Sequence, residues 1–236
     1  MKNLIDLHTH TISSGHAFST LKENIDEARK RGIKVLGVSD HATSMGGTAH
    51  EFYFKNLKIV KEEVDGVRVL RGIEANIIDY DGNIDVNDEL LGKLDYVIAS
   101  LHPPCIVPGN IEENTRAVIK AMDCQKVKII GHPDDGRFPL DYEQVVLAAK
   151  EKGVVLELNN ASISSRSFRI NGRENQRRII ELCKEYGVRV ILSSDAHIYY
   201  DIGEVSESMK LLEEANFPEE MIINSSIDNL IYILEK

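Results

Sequence analysis

Short apolar runs recur along the chain, and a polar residue follows each of them at a similar interval. The residues at or just past the ends of these runs are His8, His41, Glu74, His102, His132, Asn159 and Asp195. The steps between them are 33, 33, 28, 30, 27 and 36 residues, close to the roughly 30 residues of a strand–helix unit. The pattern predicts parallel strands that alternate with helices and carry polar side chains at their carboxyl ends.

The apolar runs are rich in valine, isoleucine and leucine, which is typical of strands buried on both faces. We place the strands at about residues 4–10, 33–39, 67–74, 95–101, 127–131, 154–159 and 188–194. Seven strands are one fewer than a regular eight-stranded TIM barrel has. The chain of 236 residues suits one barrel-sized domain over residues 1–236, since no linker or low-complexity tract divides it.

Helix signals lie between the strands. Capping boxes at Thr20 with Glu23 and at Asn110 with Glu113 begin two helices, and Asp141 with Gln144 begins another. Glycines 32, 153 and 187 end helices. Further helices are predicted at about 51–64, 174–186, 204–215 and 226–235, and the turn-rich segment after residue 75 is predicted to be irregular with one short helix.

The net charge of −10 with neutral histidine argues against a general nucleic-acid binder. Three cysteines without a C-x-x-C pair are typical of reduced thiols, and no apolar run approaches the roughly 20 residues of a membrane span. The first strand begins too early to leave room for a cleaved signal. We therefore expect a cytoplasmic protein without a membrane partner; the sequence does not define its oligomeric state.

Seven of the eight histidines lie at or just past predicted strand ends, and only His50 stands apart. Together with two carboxylates they give nine candidate metal ligands: His8, His10, His16, His41, Glu74, His102, His132, Asp195 and His197. One catalytic metal commonly takes three protein ligands and keeps a further position open. Nine ligands are therefore enough for two or three metal ions.

These residues stand in recognisable motifs: His8-Thr9-His10, Ser39-Asp40-His41, Gly72-Ile73-Glu74, Ser100-Leu101-His102, Gly131-His132-Pro133 and Ser193-Ser194-Asp195-Ala196-His197. The set resembles the polymerase and histidinol phosphatase (PHP) family over almost the whole chain. It is most similar to the small stand-alone phosphatases of that family, including RGIEANI at 71–77 and ELNNAS at 157–162.

The resemblance implies a distorted seven-stranded parallel (β/α)7 barrel with a trinuclear site, usually zinc. By motif, His8, His10, Glu74 and Asp195 would hold one metal, and Glu74 would bridge to a second held by His102 and His132. His16, His41 and His197 would hold the third. Manganese, iron or cobalt also suits such nitrogen and oxygen ligands.

We therefore predict a metal-dependent phosphoesterase that hydrolyses phosphate monoesters of small molecules through a metal-bridging hydroxide. We count Glu74, Asp195, His197 and Arg169 as its catalytic residues. Arg166, Arg169 and Arg173 lie in the loop after the sixth strand, where a guanidinium matches a phosphate, and the resemblance favours Arg169.

Three other functions stay open on the sequence: an exonuclease-like phosphodiesterase, a histidinol-phosphate phosphatase, and a metal-binding domain without turnover. The absence of a basic stripe counts against the first, and the absence of thiolate ligands counts against the last. Asp6 and Asp40 are candidates to orient ligating imidazoles, and His50 is expected to lie outside the metal site.

Overall fold

Nine strands form two sheets within residues 1–234, the part of the chain that the computed structural model describes. The strands are β1 Ile5–Asp6, β2 Val35–Val38, β3 Glu63–Val64, β4 Val67–Arg71, β5 Glu74–Asn76, β6 Val97–Ser100, β7 Val127–Ile130, β8 Val155–Asn159 and β9 Val190–Ser193. The first sheet has the order β1-β2-β4-β3 and the second β5-β6-β7-β8-β9. Only the β3–β4 pair is antiparallel among the described strands, so the predicted α/β class with parallel sheets is confirmed.

The predicted count of seven strands in one barrel is not confirmed, because the described strands form sheets of four and five. The predicted third strand divides at Gly72 and Ile73 into β4, which pairs with β2, and β5, which pairs with β6. The short antiparallel strand β3 adds a further member. Single parallel bridges, Thr9–Ala196 and His41–Glu74, connect the two sheets.

A buried tyrosine accounts for the break between β4 and β5. A Cβ atom on Gly72 would lie 2.4 Å from the Tyr96 ring. One on Gly37 would lie 1.9 Å from the Tyr96 hydroxyl, which donates a 2.5 Å hydrogen bond to the Leu7 carbonyl. The fully buried Tyr96 therefore takes the space that two side chains would otherwise need.

Eight helices surround the sheets in the described residues: α1 Leu21–Arg31, α2 Glu51–Asn56, α3 Asp88–Leu91, α4 Ile111–Ala121, α5 Tyr142–Lys152, α6 Gly172–Tyr186, α7 Ser206–Glu214 and α8 Ile231–Leu234. Both predicted capping boxes are present, at the starts of α1 and α4. Glycines 32, 153 and 187 adopt left-handed conformations at the ends of α1, α5 and α6, as predicted. These caps satisfy backbone groups that a helix end leaves unpaired.

Three segments differ from their predicted extents. The β1 strand is confined to Ile5–Asp6, so His8 and His10 lie beyond it. The α2 helix ends at Asn56, and a 3₁₀ turn and β3 occupy the rest of the predicted helix 51–64. The predicted helix 226–235 is a 3₁₀ turn followed by α8, and its residue 235 lies outside the described residues.

Two apolar clusters hold these layers together. The larger cluster lies where the helices pack on the strands, with residues such as Ile25, Val118 and Ile179. The smaller one gathers strand residues such as Ile5, Ile98 and Ile191 with Ile223 and Ile233 from the carboxyl-terminal segment. In residues 1–234 every helix is too short or too polar to cross a bilayer.

Candidate metal centre and substrate pocket

All nine predicted metal ligands converge at the carboxyl ends of the strands. His8 and His10 follow β1, His41 follows β2, Glu74 begins β5, and the remaining residues lie in the loops after β1, β6, β7 and β9. Seven of the nine are buried, and only His16 and His197 reach solvent. The loops that follow parallel strands thus bring together residues up to 189 positions apart, from His8 to His197.

Glu74 lies at the centre of this group and is fully buried. Its Oε1 atom is 3.2 Å from His102 Nε2 and 3.0 Å from His132 Nε2. Its Oε2 atom faces the other histidines, at 3.3 Å from His8 Nε2, 3.5 Å from His10 Nε2 and 2.6 Å from His41 Nδ1. The two oxygens of one carboxylate therefore point at two different sets of imidazoles, an arrangement suited to a bridging ligand.

Asp195 and His197 complete the group from the loop after β9. Asp195 Oδ1 lies 3.2 Å from His10 Nε2 and 3.5 Å from His8 Nε2. His197 Nε2 lies 3.0 Å from His16 Nε2, and the His16 ring stacks at 5.0 Å on the His41 ring. Imidazole nitrogens therefore face one another at the surface end of the group.

Four buried atoms in this group make no hydrogen bond within the described chain: His8 Nε2, His10 Nε2, His41 Nδ1 and Glu74 Oε2. They lie close to one another, as His41 Nδ1 does to Glu74 Oε2 at 2.6 Å, but without the alignment of a hydrogen bond. Buried polar atoms in native proteins usually form hydrogen bonds, so a cluster of such atoms requires an explanation. The ligand atoms of three overlapping triplets each lie within 4.8 Å of one another: His8, His10 and Glu74; His41, Glu74 and His102; and His10, His41 and His197. Imidazole nitrogens and carboxylate oxygens are the ligands that divalent cations such as zinc use, so these residues fit bound metal ions.

The ionisation of the group also suits a cation. Burial opposes the charge on Glu74, but the facing imidazoles of His8, His41 and His102 outweigh it and hold the pKa of that carboxyl well below its ordinary value. Burial likewise opposes the charge on Asp195, yet His8 and Arg169 bring its pKa well below the ordinary range. Burial and the neighbouring imidazoles depress the pKa of His10. Burial opposes the charge on His8 as well, but Glu157, Glu74 and Asp195 outweigh it and raise the pKa of His8 well above its ordinary value. Ionised carboxylates and neutral imidazoles are the forms that bind metals, so a cation bound at His8 would replace the proton on its ring.

Hydrogen bonds on the far side of the imidazole rings fix their orientation. The pairs are His8 Nδ1 with Glu157 Oε1 at 2.7 Å, His10 Nδ1 with Ser14 Oγ at 3.0 Å, His102 Nδ1 with Asn76 Oδ1 at 2.8 Å, and His197 Nδ1 with the Asp195 carbonyl at 2.9 Å. In each pair the other ring nitrogen is left facing the centre. Such partners set the tautomer and ring direction of metal-binding histidines.

Glu157 is a residue that sequence reasoning missed. It is fully buried on β8, contacts His8, and accepts a 2.6 Å hydrogen bond from the His132 backbone nitrogen. A signal was available, because Glu157 is an acidic residue inside the apolar strand VVLEL. Asn76 gave a similar signal, since it lies two residues after Glu74 and so shares its strand face.

The two aspartates predicted to orient imidazoles act differently. Asp40 accepts a 2.6 Å hydrogen bond from the Ser14 hydroxyl, which in turn contacts His10, so Asp40 reaches a candidate ligand through one intermediate. Asp6 bonds instead with the Ser194 hydroxyl and the Gly203 backbone nitrogen. The Asp6 carboxylate therefore holds the loop after β9, not an imidazole.

Two candidate ligands have unusual backbone conformations. His132 has a φ of 30° and Asp195 a φ of 53°. Non-glycine residues rarely adopt such angles, and they concentrate at functional sites where surrounding contacts over-determine them. The Glu157 carboxylate supplies such a contact to the backbone of His132.

The three loop arginines have different environments. Arg169 is nearly buried; its Nη2 donates to Asp195 Oδ2 at 2.9 Å, and its Nη1 donates to Asn159 Oδ1 and Ser162 Oγ. Its Nε makes no hydrogen bond within the described chain and lies 3.9 Å from Asp135 Oδ2. Arg166 is exposed and pairs with Asp201 at 2.7 Å, and Arg173 pairs with Glu207 outside the pocket.

A pocket of about 680 Å³ opens above the candidate ligands. Candidate ligands in its lining include His16, His41, Glu74, His102, Asp195 and His197. Arg137, Arg166, Phe168 and Arg169 line it further out, with Met45, Pro103 and Pro104. The volume is typical of a small-molecule site.

His50, Cys105 and Cys183 are not among the residues that line the pocket. His50 caps α2, where its side chain accepts from the Phe52 backbone nitrogen. Cys183 is fully buried in the larger apolar cluster. Cys105 is half-buried, and burial raises its pKa to about 11, so its thiol stays protonated.

Comparison with known proteins agrees with this geometry. The model of the PHP domain family matches residues 6–231. A protein of Clostridium novyi named "Probable phosphatase" is 43% identical over 235 residues, covering 100% of this chain and 96% of that one. Another of Caldanaerobacter subterraneus is 44% identical over 241 residues, covering 100% of this chain and 92% of that one.

A solved structure extends the likeness to the fold. The histidinol phosphate phosphatase of Lactococcus lactis, in complex with zinc, L-histidinol and phosphate, superposes with a TM-score of 0.63 at 14% identity, over 92% of this chain and 95% of that one. Fold, site and relatives together define a metal-binding phosphoric ester hydrolase. The chain belongs to the PHP domain family.

Proposed function

We propose that the enzyme is a phosphomonoesterase in which the nine converging ligands hold three divalent cations, with zinc as the first candidate. The observation that supports this proposal most directly is the set of four buried ligand atoms, those of His8, His10, His41 and Glu74, that face one another without a hydrogen bond in the described chain. Two or three cations would satisfy these atoms and the neighbouring carboxylate oxygens together. The zinc in the Lactococcus structure supports the choice of metal.

The family resemblance implies how the ligands would divide among three metals, and the distances are compatible with that division. His8, His10 and Asp195 would hold the first metal with Glu74 Oε2, and His102 with His132 would hold the second with Glu74 Oε1. His16, His41 and His197 would hold the third at the pocket surface. The short approach of His41 to Glu74 supports a third position next to the other two.

Bound divalent cations would supply Lewis-acid chemistry, activating a water and neutralising charge on the phosphate. The chain contributes orientation. Glu157, Ser14 and Asn76 hold imidazole rings in the ligating direction, and Arg169 holds Asp195. Because the Arg169 Nε atom makes no hydrogen bond within the described residues, that donor is the one we propose for a phosphate oxygen.

We also propose that residues 1–236 form a single catalytic domain in which both sheets build one distorted barrel wall. The two single bridges between the sheets support this, because Thr9–Ala196 joins the β1 and β9 sides and His41–Glu74 joins the β2 and β5 sides. A ring of this kind would direct all strand ends to one mouth.

The decisive experiment compares substrates in one metal-loaded preparation. Aryl and alkyl phosphate monoesters, histidinol phosphate, a phosphate diester and single-stranded DNA are assayed before chelation, after it, and after zinc or manganese is restored. We expect turnover of monoesters, loss on chelation and recovery with metal. Preferential cleavage of the diester or of DNA would make the enzyme a phosphodiesterase, and turnover that survives metal removal would contradict the proposed mechanism.

A further inference from the structure

The outer wall of the pocket contains an aromatic side chain that the metal chemistry does not use. Phe168 lines the pocket in the loop after β8, and 74% of its surface is exposed. Exposed aromatic rings at the mouth of a binding pocket are candidates for ligand contacts, because burying them against a ligand recovers apolar surface from water.

The Phe168 ring has a fixed support. The guanidinium of Arg137 lies over the ring, 4.8 Å from its centroid. Asp135, which is almost fully buried, fixes Arg137 from the other side, since Arg137 Nε donates to its two carboxylate oxygens at 3.0 and 2.9 Å. The Gly136 backbone nitrogen donates to the Ile170 carbonyl at 2.8 Å and ties the two loops together. The ring is therefore held from one face, and its high exposure leaves the opposite face open.

The rest of the outer pocket is suited to an apolar group. Met45, Pro103 and Pro104 line it together with Phe168. Two further acidic side chains line the pocket, and both are paired with arginines: Asp201 with Arg166 at 2.7 Å and Glu204 with Arg31 at 3.7 Å. The pocket volume of about 680 Å³ exceeds what a phosphate alone requires, so space remains for a leaving group.

We propose that Phe168, supported by Arg137, is a stacking platform that selects phosphate monoesters whose leaving group carries a planar aromatic ring. The proposal rests on the proposed phosphomonoesterase function and specifies the substrate class of that site. Phe168 acts in substrate selection and not in the chemical step, because its ring carries no group that transfers protons or binds metals.

The test uses two substrates that differ only in ring planarity. Benzyl phosphate and cyclohexylmethyl phosphate have the same bond to oxygen and similar size, so their leaving groups match in reactivity. We expect wild-type kcat/KM for the benzyl ester to exceed that for the cyclohexylmethyl ester by about ten-fold, the scale of one aromatic stacking contact. Phe168→Leu should bring the ratio close to one with metal content unchanged, and Phe168→Tyr should preserve it.

Phe52→Leu is the matched control, because Phe52 is 72% exposed but does not line the pocket. That variant should keep the wild-type ratio.

Competitive binding of benzylphosphonate and cyclohexylmethylphosphonate to the metal-loaded enzyme gives a second readout that needs no turnover. A wild-type ratio near one in both measurements, or a ratio that survives Phe168→Leu, would overturn the platform. Equal turnover of both esters would refute the platform but leave the phosphomonoesterase function intact. Turnover of a diester without turnover of a monoester would refute the phosphomonoesterase function. In that case the binding of the two phosphonates would still test the platform.

Discussion

The floor of the pocket and its mouth hold their polar side chains in opposite ways. We define the floor as the nine candidate ligands and the mouth as Arg137, Arg166, Phe168, Pro103 and Pro104. On the floor, buried imidazoles are fixed by second hydrogen bonds such as that from His8 to Glu157. At the mouth, the buried Asp135 fixes Arg137, but Arg166 is 66% exposed in its ion pair with Asp201, and Phe168 is 74% exposed.

The difference indicates where chemistry and selectivity are encoded. Fixed orientation on the floor reduces the reorganisation needed to bind cations and an anionic transition state. Solvent screens exposed charge pairs at the mouth, so changes there alter contacts with the leaving group and little else. Substitutions on the floor should therefore change metal content and turnover together, whereas substitutions at the mouth should leave metal content intact.

The largest effect is expected at Glu74. Glu74→Gln retains the side-chain shape but removes the charge and the bridge between two sets of imidazoles, so it should lose or weaken two metals and nearly all activity. His16→Ala should remove mainly one metal, and His50→Ala should remove none, since His50 lies at the α2 cap. Elemental analysis of the three variants counts the metals lost, which we expect to be two, one and none, and kcat/KM reports the accompanying loss of activity. If His50→Ala lost a metal while Glu74→Gln kept all of its metal, the assignment of the nine metal ligands would be wrong.

Glu157 tests whether orientation of the floor matters apart from ligation. Glu157→Gln keeps the volume of this buried side chain but weakens its bonds to His8 and the His132 backbone. We expect metal affinity to fall about 10- to 100-fold, the usual cost of losing a partner of a metal-binding histidine. Competition with a chelator of known affinity measures the metal affinity of the variant. Glu143→Gln on the surface of α5 is the control, and equal metal affinity in both variants would show that Glu157 is only structural.

Arg169 lies at the boundary between floor and mouth. Arg169→Ala removes the donors to Asp195 and the unpartnered Nε, so it should lower kcat/KM by the equivalent of about 1.5–3 kcal/mol and weaken one metal. Steady-state kinetics with metal titration separates the two effects. If saturating metal restores activity, the role of Arg169 is only to hold Asp195. If metal affinity is unchanged and activity is lost, its role is only to bind the substrate phosphate.

The smallest effect is expected at Arg166, which lies in the same loop as Arg169. Arg166→Ala removes an exposed ion pair with Asp201, and such pairs contribute roughly 0–1 kcal/mol. Metal content should be unchanged, thermal unfolding should shift little, and kcat/KM should change at most a few-fold. Loss of metal in this variant would remove the distinction between floor and mouth.

The sequence grouped the floor residues because their positions follow from strand order. Residues at the carboxyl ends of parallel strands meet at one edge, so strand order alone brings His8, Glu74 and His132 together. Glu157 was missed because its contacts with His8 and with the His132 backbone depend on strand register, which the apolar pattern does not specify. The role of Arg169 was incomplete for a similar reason, since its contact with Asp195 joins two loops.

Strand boundaries were harder to predict than strand positions. Gly72, at the break, leaves room for the buried Tyr96, which lies just before β6 and leaves no signal in the sequence of the broken strand. The helix predicted over 51–64 continued an apolar pattern that the structure divides among α2, a 3₁₀ turn and β3. In both places tertiary packing overrides a local pattern.

The most direct test of the account is the number of metal ions in the purified enzyme. Inductively coupled plasma mass spectrometry against protein concentration, after reconstitution with zinc and removal of free metal, counts them per chain. The account predicts a stoichiometry near three, falling in steps as the chelator concentration rises. A value of one or less after reconstitution would show that the converging histidines and carboxylates do not form a multinuclear site.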